Sequence, residues 1–167
     1  MREMALEFAR TKSAPFCRRM GRRKDPSALD AERGRGTGMS GVTVRVELGG
    51  SGLGRFDSTI IFETLATGCP RVAAFLSIHN MTVWMIDALG SRGFRKQVVQ
   101  NLTSMDSIAG YCLTELGSGS DAAALRTRAV LDGDTYVVNG DEGFVRVVTR
   151  ADNSVVLMVH AASAGVS

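Results

Sequence analysis

A chain that carries PRVAAFLSIHNMTVWMIDAL from Pro70 to Leu89 has two ways to fold around it: across a membrane, or around a buried helix. The polar residues within the run decide between them. Arg71, Ser77, His79, Asn80 and Asp87 interrupt it, and a spanning helix does not readily carry that many polar groups. The run therefore reads as a buried helix with no membrane span. Proline at its first turn and Gly90 just past its end give the usual start and stop. Phe75, Leu76, Ile78, Met81, Val83, Trp84 and Met85 form its expected core stripe. A lone histidine in such a helix is expected to be a hydrogen-bonded core residue, not a catalytic one.

Other helices are expected on both sides. Met4, Ala5, Phe8 and Ala9 follow helical spacing in the first twenty residues, and Pro15 should end or kink that helix. Residues 21–41 are rich in Arg, Gly, Asp and Ser and read as a connector. Val42, Val44, Val46 and Leu48 alternate with polar residues, which predicts a strand or extended segment closed by the turn Gly49-Gly50-Ser51-Gly52. That turn is not a phosphate loop, because no Lys-Ser/Thr follows at the required spacing. Asp57 or Ser58 is expected to cap a short helix with Ile60, Ile61, Phe62 and Leu65 inward and Gly68 as its stop. A further helix, Ser91 to about Leu102, should turn Phe94, Val98 and Val99 inward.

Beyond Leu102 the texture changes. Asp132-Gly133-Asp134 and Asn139-Gly140 supply residues that tolerate positive φ, so Ala129–Leu131 and Tyr136–Val138 predict a hairpin. Further strands are expected at Gly143–Val148 and Ser154–His160. The fold class is α+β: a helical domain over 1–109, then an incomplete antiparallel β-domain over 110–167, with a sheet edge left uncovered.

Charge and cysteine content narrow the function. With 44% hydrophobic residues, 167 residues suffice for a real core. The net charge of +3 is concentrated at the start, where residues 1–36 hold ten of the 20 Lys and Arg but only five of the 17 Asp and Glu. Arg18, Arg19, Arg22, Arg23 and Lys24 have no interleaved aromatic residues, so they read as a solvated face and no nucleic-acid partner is expected. Cys17, Cys69 and Cys112 are odd in number and lack Cys-x-x-Cys spacing, which argues against a disulfide framework and a zinc site and suits a reducing compartment. No metal is expected. The opening MREMALEFAR has no apolar core of a secretory leader and looks like helix interior.

The chemistry-bearing stretch is Tyr111 to Asp121, YCLTELGSGSD, where an apolar run meets a glycine and serine turn. Thr114, Ser118 and Ser120 bring hydroxyls together. Gly117 and Gly119 can take positive φ, letting a ligand approach backbone N–H groups arranged as an anion-binding nest. On turn chemistry alone such a stretch is more often a solvated linker. The whole string, however, resembles the flavin-binding signature of the acyl-CoA dehydrogenase family, Tyr-Cys-(Leu/Val/Met)-Thr-Glu-Pro-Gly-(Ala/Ser)-Gly-Ser-Asp. Ten of the eleven positions fit, the departure being Leu116 in place of proline. MREMALEFA, the GGSGL turn, IFETLATGC, SIHNM and WMID extend the resemblance over nearly the whole chain.

That resemblance implies FAD as cofactor. It places Tyr111, Cys112, Leu113 and Thr114 along the flavin ring and Gly117, Ser118, Gly119 and Ser120 at its phosphates, with Glu115 and Leu116 also in the cofactor-binding set and Ser120 also touching the acyl-CoA. Phe144, Val145 and Arg146 fall beside the ring, with Arg146 where the family has Ser or Thr. The implied reaction is α,β-dehydrogenation of a short branched acyl-CoA such as isobutyryl-CoA. The implied partners are an electron-transfer flavoprotein and, in the family, a homotetramer; the implied location is the mitochondrial matrix if the source is eukaryotic. No catalytic residue is assigned, because the family's base is a glutamate in a C-terminal helical domain and neither Glu115 nor Glu142 matches it. The alternative is a non-catalytic chain acting only through protein contacts.

Overall fold

The computed structural model describes residues 2–15, 37–133, 135–139 and 157–160. Among the described residues four α-helices come first, α1 (Arg2–Phe8), α2 (Arg55–Gly68), α3 (Pro70–Leu89) and α4 (Arg92–Thr103), followed by the strands β1 (Ala109–Cys112), β2 (Arg128–Asp132), β3 (Thr135–Asn139) and β4 (Leu157–His160). The α+β order read from the sequence holds. The connector at 21–36, Arg18 to Lys24, the strand expected at Gly143–Val148 and Phe144, Val145 and Arg146 lie outside the described residues.

The central helix α3 spans Pro70–Leu89 and stops at Gly90. It is long and apolar enough to cross a membrane, yet half of its length is buried inside the fold. Two clusters form on it. One joins Ala5 and Phe8 of α1, Met39, Val42, Ile61 and Leu65 of α2, Val72 and Leu76, and Met105. The other joins Val44, Leu48, Val83, Ile86, Val99, Leu102 and Ala109. The second cluster joins α3 and α4 to the first residue of the sheet.

Several local expectations are corrected. Met4 is 43% exposed, although Ala5, Phe8 and Ala9 are buried as the spacing requires. After Phe8 the helix continues as a π-helical turn, Ala9–Ser13. That turn lies against the end of α2, where a Cβ on Gly68 would come within 2.5 Å of the Ala9 carbonyl oxygen. Gly68 therefore serves a close backbone approach as well as ending the helix. Helix α2 begins two residues before Asp57: Gly54 is its N-cap, and the Asp57 carboxylate accepts the Gly54 N–H at 3.2 Å. Ile78, Met81 and Phe94 are exposed, because the face of α3 and α4 that carries them has no described neighbour covering it.

The strand expected at Val42–Leu48 is absent. Val42 and Val44 do point inward, fully buried, but Val46–Leu48 curls into a 3-10 turn that leaves Val46 68% exposed. Gly49, at φ 84°, closes that turn. Gly50 then passes so close to Val44 that a Cβ would sit 2.1 Å from the Val44 carbonyl oxygen. The loop's backbone groups bond one another, with Leu53 N–H donating to Val42 O at 2.9 Å and Gly52 N–H to Val44 O at 2.8 Å. No partner strand is then needed.

Helix α4 ends without a glycine. Met105 takes the left-handed conformation at φ 62° with its side chain fully buried, and its N–H donates to Leu102 O at 3.1 Å. The chain then turns into β1. The hairpin β2–β3 is antiparallel with Val130 opposite Val137, and Gly133 takes positive φ in its turn. β1 pairs with β4 in parallel, Tyr111 opposite Val159, so the described strands include a parallel pair beside the expected antiparallel one.

Candidate functional site

The stretch 111–121 begins as a strand and ends as a self-braced turn. Glu115 and Ser118 bond each other across the turn, Glu115 N–H to Ser118 O at 2.9 Å and Ser118 N–H to Glu115 O at 3.2 Å. The Glu115 carboxylate points inward. It accepts Arg126 N–H at 2.8 Å, Thr127 N–H at 2.7 Å and the Thr127 hydroxyl at 2.5 Å, which ties the loop to the start of β2. The Ser118 hydroxyl donates to Asp121 O at 2.6 Å, and the Asp121 carboxylate accepts Ala123 N–H at 3.2 Å to start a 3-10 turn over Ala122–Ala124. Glu115 and Ser118 are both buried.

The expected site residues thus divide into two sets. The Glu115 and Ser118 side chains hold the loop together. Gly117, Gly119 and Ser120 are exposed, while Tyr111, Leu113 and Thr114 are half-buried on the approach. Leu116 is 88% exposed at the second position of the turn, so replacing the family's proline costs no packing. The sequence allows Gly117 and Gly119 a positive φ. Neither has one, so the alternating left-handed geometry of a nest is not formed there. A Cβ at either position would meet nothing within 4 Å. Glycine at both leaves the backbone on that side uncovered.

The anchoring of β1 was not legible as part of the site. His79 on α3 is fully buried, with its Nε2 3.0 Å from Leu102 O and its Nδ1 accepting the Ala109 N–H at 3.1 Å. Nδ1 must be unprotonated to accept, so the ring is the neutral Nε2–H form and donates to Leu102. Burial lowers its pKa from the ordinary value, against the opposing pull of the Leu102 and Ala109 backbone groups. As the sequence suggested, it is a hydrogen-bonded core residue.

A second concavity lies between α2 and α3. Its volume is about 590 Å³, and Phe62, Met81, Trp84, Met85 and Leu89 supply its apolar lining. The Arg55 guanidinium sits 4.4 Å from the Trp84 ring centroid at its wall. None of its lining residues belongs to 111–121.

The described residues thus form a helical module that leads into a braced glycine and serine turn at the root of a sheet. Residues 1–106 match the acyl-CoA dehydrogenase N-terminal domain, and the chain belongs to the acyl-CoA dehydrogenase family. It is 42% identical over 155 residues to the mitochondrial isobutyryl-CoA dehydrogenase of Bos taurus, a match covering 93% of this chain and 37% of the bovine one. The structure of butyryl-CoA dehydrogenase from Megasphaera elsdenii matches with a TM-score of 0.72 and 25% identity over 83% of this chain and 38% of its own. The FAD complex of PigA shares the fold, with a TM-score of 0.76 and 24% identity over 83% of this chain and 37% of its own. The chain thus spans well under half the length of these proteins.

Proposed function

We propose that this chain forms the flavin-cradling part of an FAD-dependent dehydrogenase that introduces an α,β double bond into a short branched acyl-CoA such as isobutyryl-CoA. The observation that carries the reading is the open side of the 111–121 loop, where Gly117 and Gly119 leave the backbone bare while Glu115 and Ser118 brace it from behind. The residues fit the cofactor. Thr114 and the backbone of 111–114 would hold the ring, Gly117, Ser118 backbone, Gly119 and Ser120 the phosphates, and Ser120 the acyl-CoA as well. Phe144, Val145 and Arg146 complete the proposed set.

Flavin, when bound, supplies the acceptor for the substrate's β-hydrogen. The chain's own share is positional: a preformed loop holds cofactor and thioester in register without reorganising on each turnover. Glu115 does not remove the α-proton, since its carboxylate is engaged by Arg126 and Thr127. We assign that proton to a carboxylate outside these 167 residues. An electron-transfer flavoprotein as oxidant, assembly as a homotetramer, a place in valine breakdown and a mitochondrial matrix location are proposed on the same likeness.

Titration of the purified chain with FAD, followed by flavin fluorescence and thermal unfolding, tests the reading. Saturable binding with a raised melting temperature is expected; neither binding nor a shift in melting refutes it. The alternative, a module acting only through protein contacts, draws support from the apolar concavity between α2 and α3. It predicts unchanged melting with FAD.

A further inference from the structure

We infer that His79 is a positioning residue for the cradle: its ring fixes the first residue of β1 to the helical core and so sets where Tyr111 to Thr114 run. The functional consequence rests on the flavin reading proposed above; the geometry does not.

The ring bridges two elements. It donates through Nε2 to Leu102 O in the last turn of α4 and accepts through Nδ1 from Ala109 N–H, the first residue of β1. Both partners are backbone atoms of buried residues, Leu102 at 0% and Ala109 at 3% exposure, so water does not readily replace either bond. Phe75, one turn earlier on α3, stacks on the ring with centroids 6.5 Å apart and planes 19° from parallel. That contact fixes the ring plane. One side chain must donate on one side and accept on the other across a fixed span, which neutral imidazole does and no apolar residue can.

The two bonds are not equivalent. Leu102 O also receives the Met105 N–H at 3.1 Å and keeps a partner if the histidine is removed. Ala109 N–H donates to His79 Nδ1 at 3.1 Å and loses that acceptor with the ring. Loss of the ring therefore falls on β1 more than on the helices. Two residues after Ala109 the chain enters the stretch assigned to the flavin ring, so freedom at Ala109 becomes freedom of the cradle.

The test compares the full chain with His79→Phe and His79→Gln, reading amide hydrogen exchange along 109–112, exchange along α3, FAD affinity, and the imidazole ¹⁵N shifts of the parent chain. The expected shifts show Nδ1 unprotonated and Nε2 protonated. In His79→Phe the 109–112 amides should exchange about tenfold faster, with α3 still protected, and FAD should bind more weakly by a similar factor. His79→Gln, which offers both a donor and an acceptor, should recover part of both. Unchanged 109–112 exchange and FAD affinity in His79→Phe, or equal loosening of α3 and β1, overturns the assignment. If His79→Phe does not fold, the same comparison on His79→Gln together with the ¹⁵N shifts decides it. If the parent chain binds no FAD, the flavin reading fails, and selective exchange along 109–112 alone upholds or sinks the anchoring of β1.

Discussion

Replacement of Glu115 by alanine should loosen the cradle without touching any ligand. The carboxylate holds two backbone N–H groups and one hydroxyl at 2.5–2.8 Å. Hydrogen bonds to a charged acceptor contribute about 1.5–3 kcal/mol each, and a buried donor left without a partner costs about 1–3 kcal/mol. Arg126 is exposed and its N–H can turn to water, whereas Thr127 is buried and its N–H cannot. The loss should therefore come chiefly from Thr127, about 3 kcal/mol in total. Glu115→Gln keeps one oxygen but turns an NH₂ toward the other donor, and should lose about 1–2 kcal/mol.

Amide exchange at Arg126 and Thr127 is the direct assay, since about 3 kcal/mol corresponds to roughly a hundredfold faster opening. FAD affinity should fall in parallel, because Glu115 and Ser118 tie down the turn that carries Gly117 and Gly119. If Glu115→Ala leaves Thr127 as protected as before and overall stability within about 0.5 kcal/mol, the carboxylate is not the brace described here.

Leu116→Pro should raise stability by about 0.4–1 kcal/mol in chemical denaturation, because the side chain is 88% exposed and the substitution restricts the unfolded chain at a turn position. Gly68→Ala should destabilise by about 1–3 kcal/mol despite a helix-propensity gain near 1 kcal/mol, since its Cβ would lie 2.5 Å from the Ala9 carbonyl oxygen; a thermal melt at or above the parent value would contradict that packing. Because burial lowers the folded pKa of His79, its neutral form contributes full stability above the free-imidazole value of about 6.5, and stability should fall as pH drops below it; His79→Gln should flatten that limb. Burial pushes Asp87 up, but its hydrogen bonds to Arg45 outweigh this and hold its carboxyl below the usual range. Its contribution should be complete above pH of about 4 and be lost as acid takes the carboxyl through its folded pKa, a limb that Arg45→Ala shrinks in acid titration of unfolding, the backbone N–H at position 45 and Arg95 remaining.

The helical part was legible where propensity and packing agree. Pro70, Gly90 and Ser91 marked real helix ends, and Ser91 caps α4 by accepting Phe94 N–H at 3.3 Å. Legibility failed where the chain bonds to itself. Val42 to Leu48 alternates like a strand because Val42 and Val44 are buried, yet its backbone is satisfied by the 50–53 turn and by side chains of α3. Nothing in the order of apolar residues distinguishes those partners from a ladder. The end of α4 was placed one residue short, since Met105 occupies a left-handed position where glycine is the usual marker. In the signature, Gly117 and Gly119 have the freedom for positive φ but do not use it, and both face open space. Glu115 looked like part of a ligand surface because a one-dimensional motif does not show which way a side chain faces.

Three of the five polar residues that argued against a spanning helix, His79, Asn80 and Asp87, are the ones that assemble the module. Along one side of α3, Asn80 accepts Val42 N–H at 2.7 Å and donates to Met39 O at 2.7 Å, while Asp87 takes the Arg45 N–H at 3.2 Å and its guanidinium Nε at 2.8 Å. His79 holds Leu102 and Ala109. Each is buried, and Asn80 and Asp87 are matched to loop backbone that has no ladder of its own. An apolar α3 would gain burial energy but leave those backbone groups unpaired, at about 1–3 kcal/mol apiece. The helix is thus selected for more than hydrophobicity: its polar positions dictate where the 39–53 loop and β1 lie. The position of the 111–121 turn follows from them, through a single imidazole at the root of the strand.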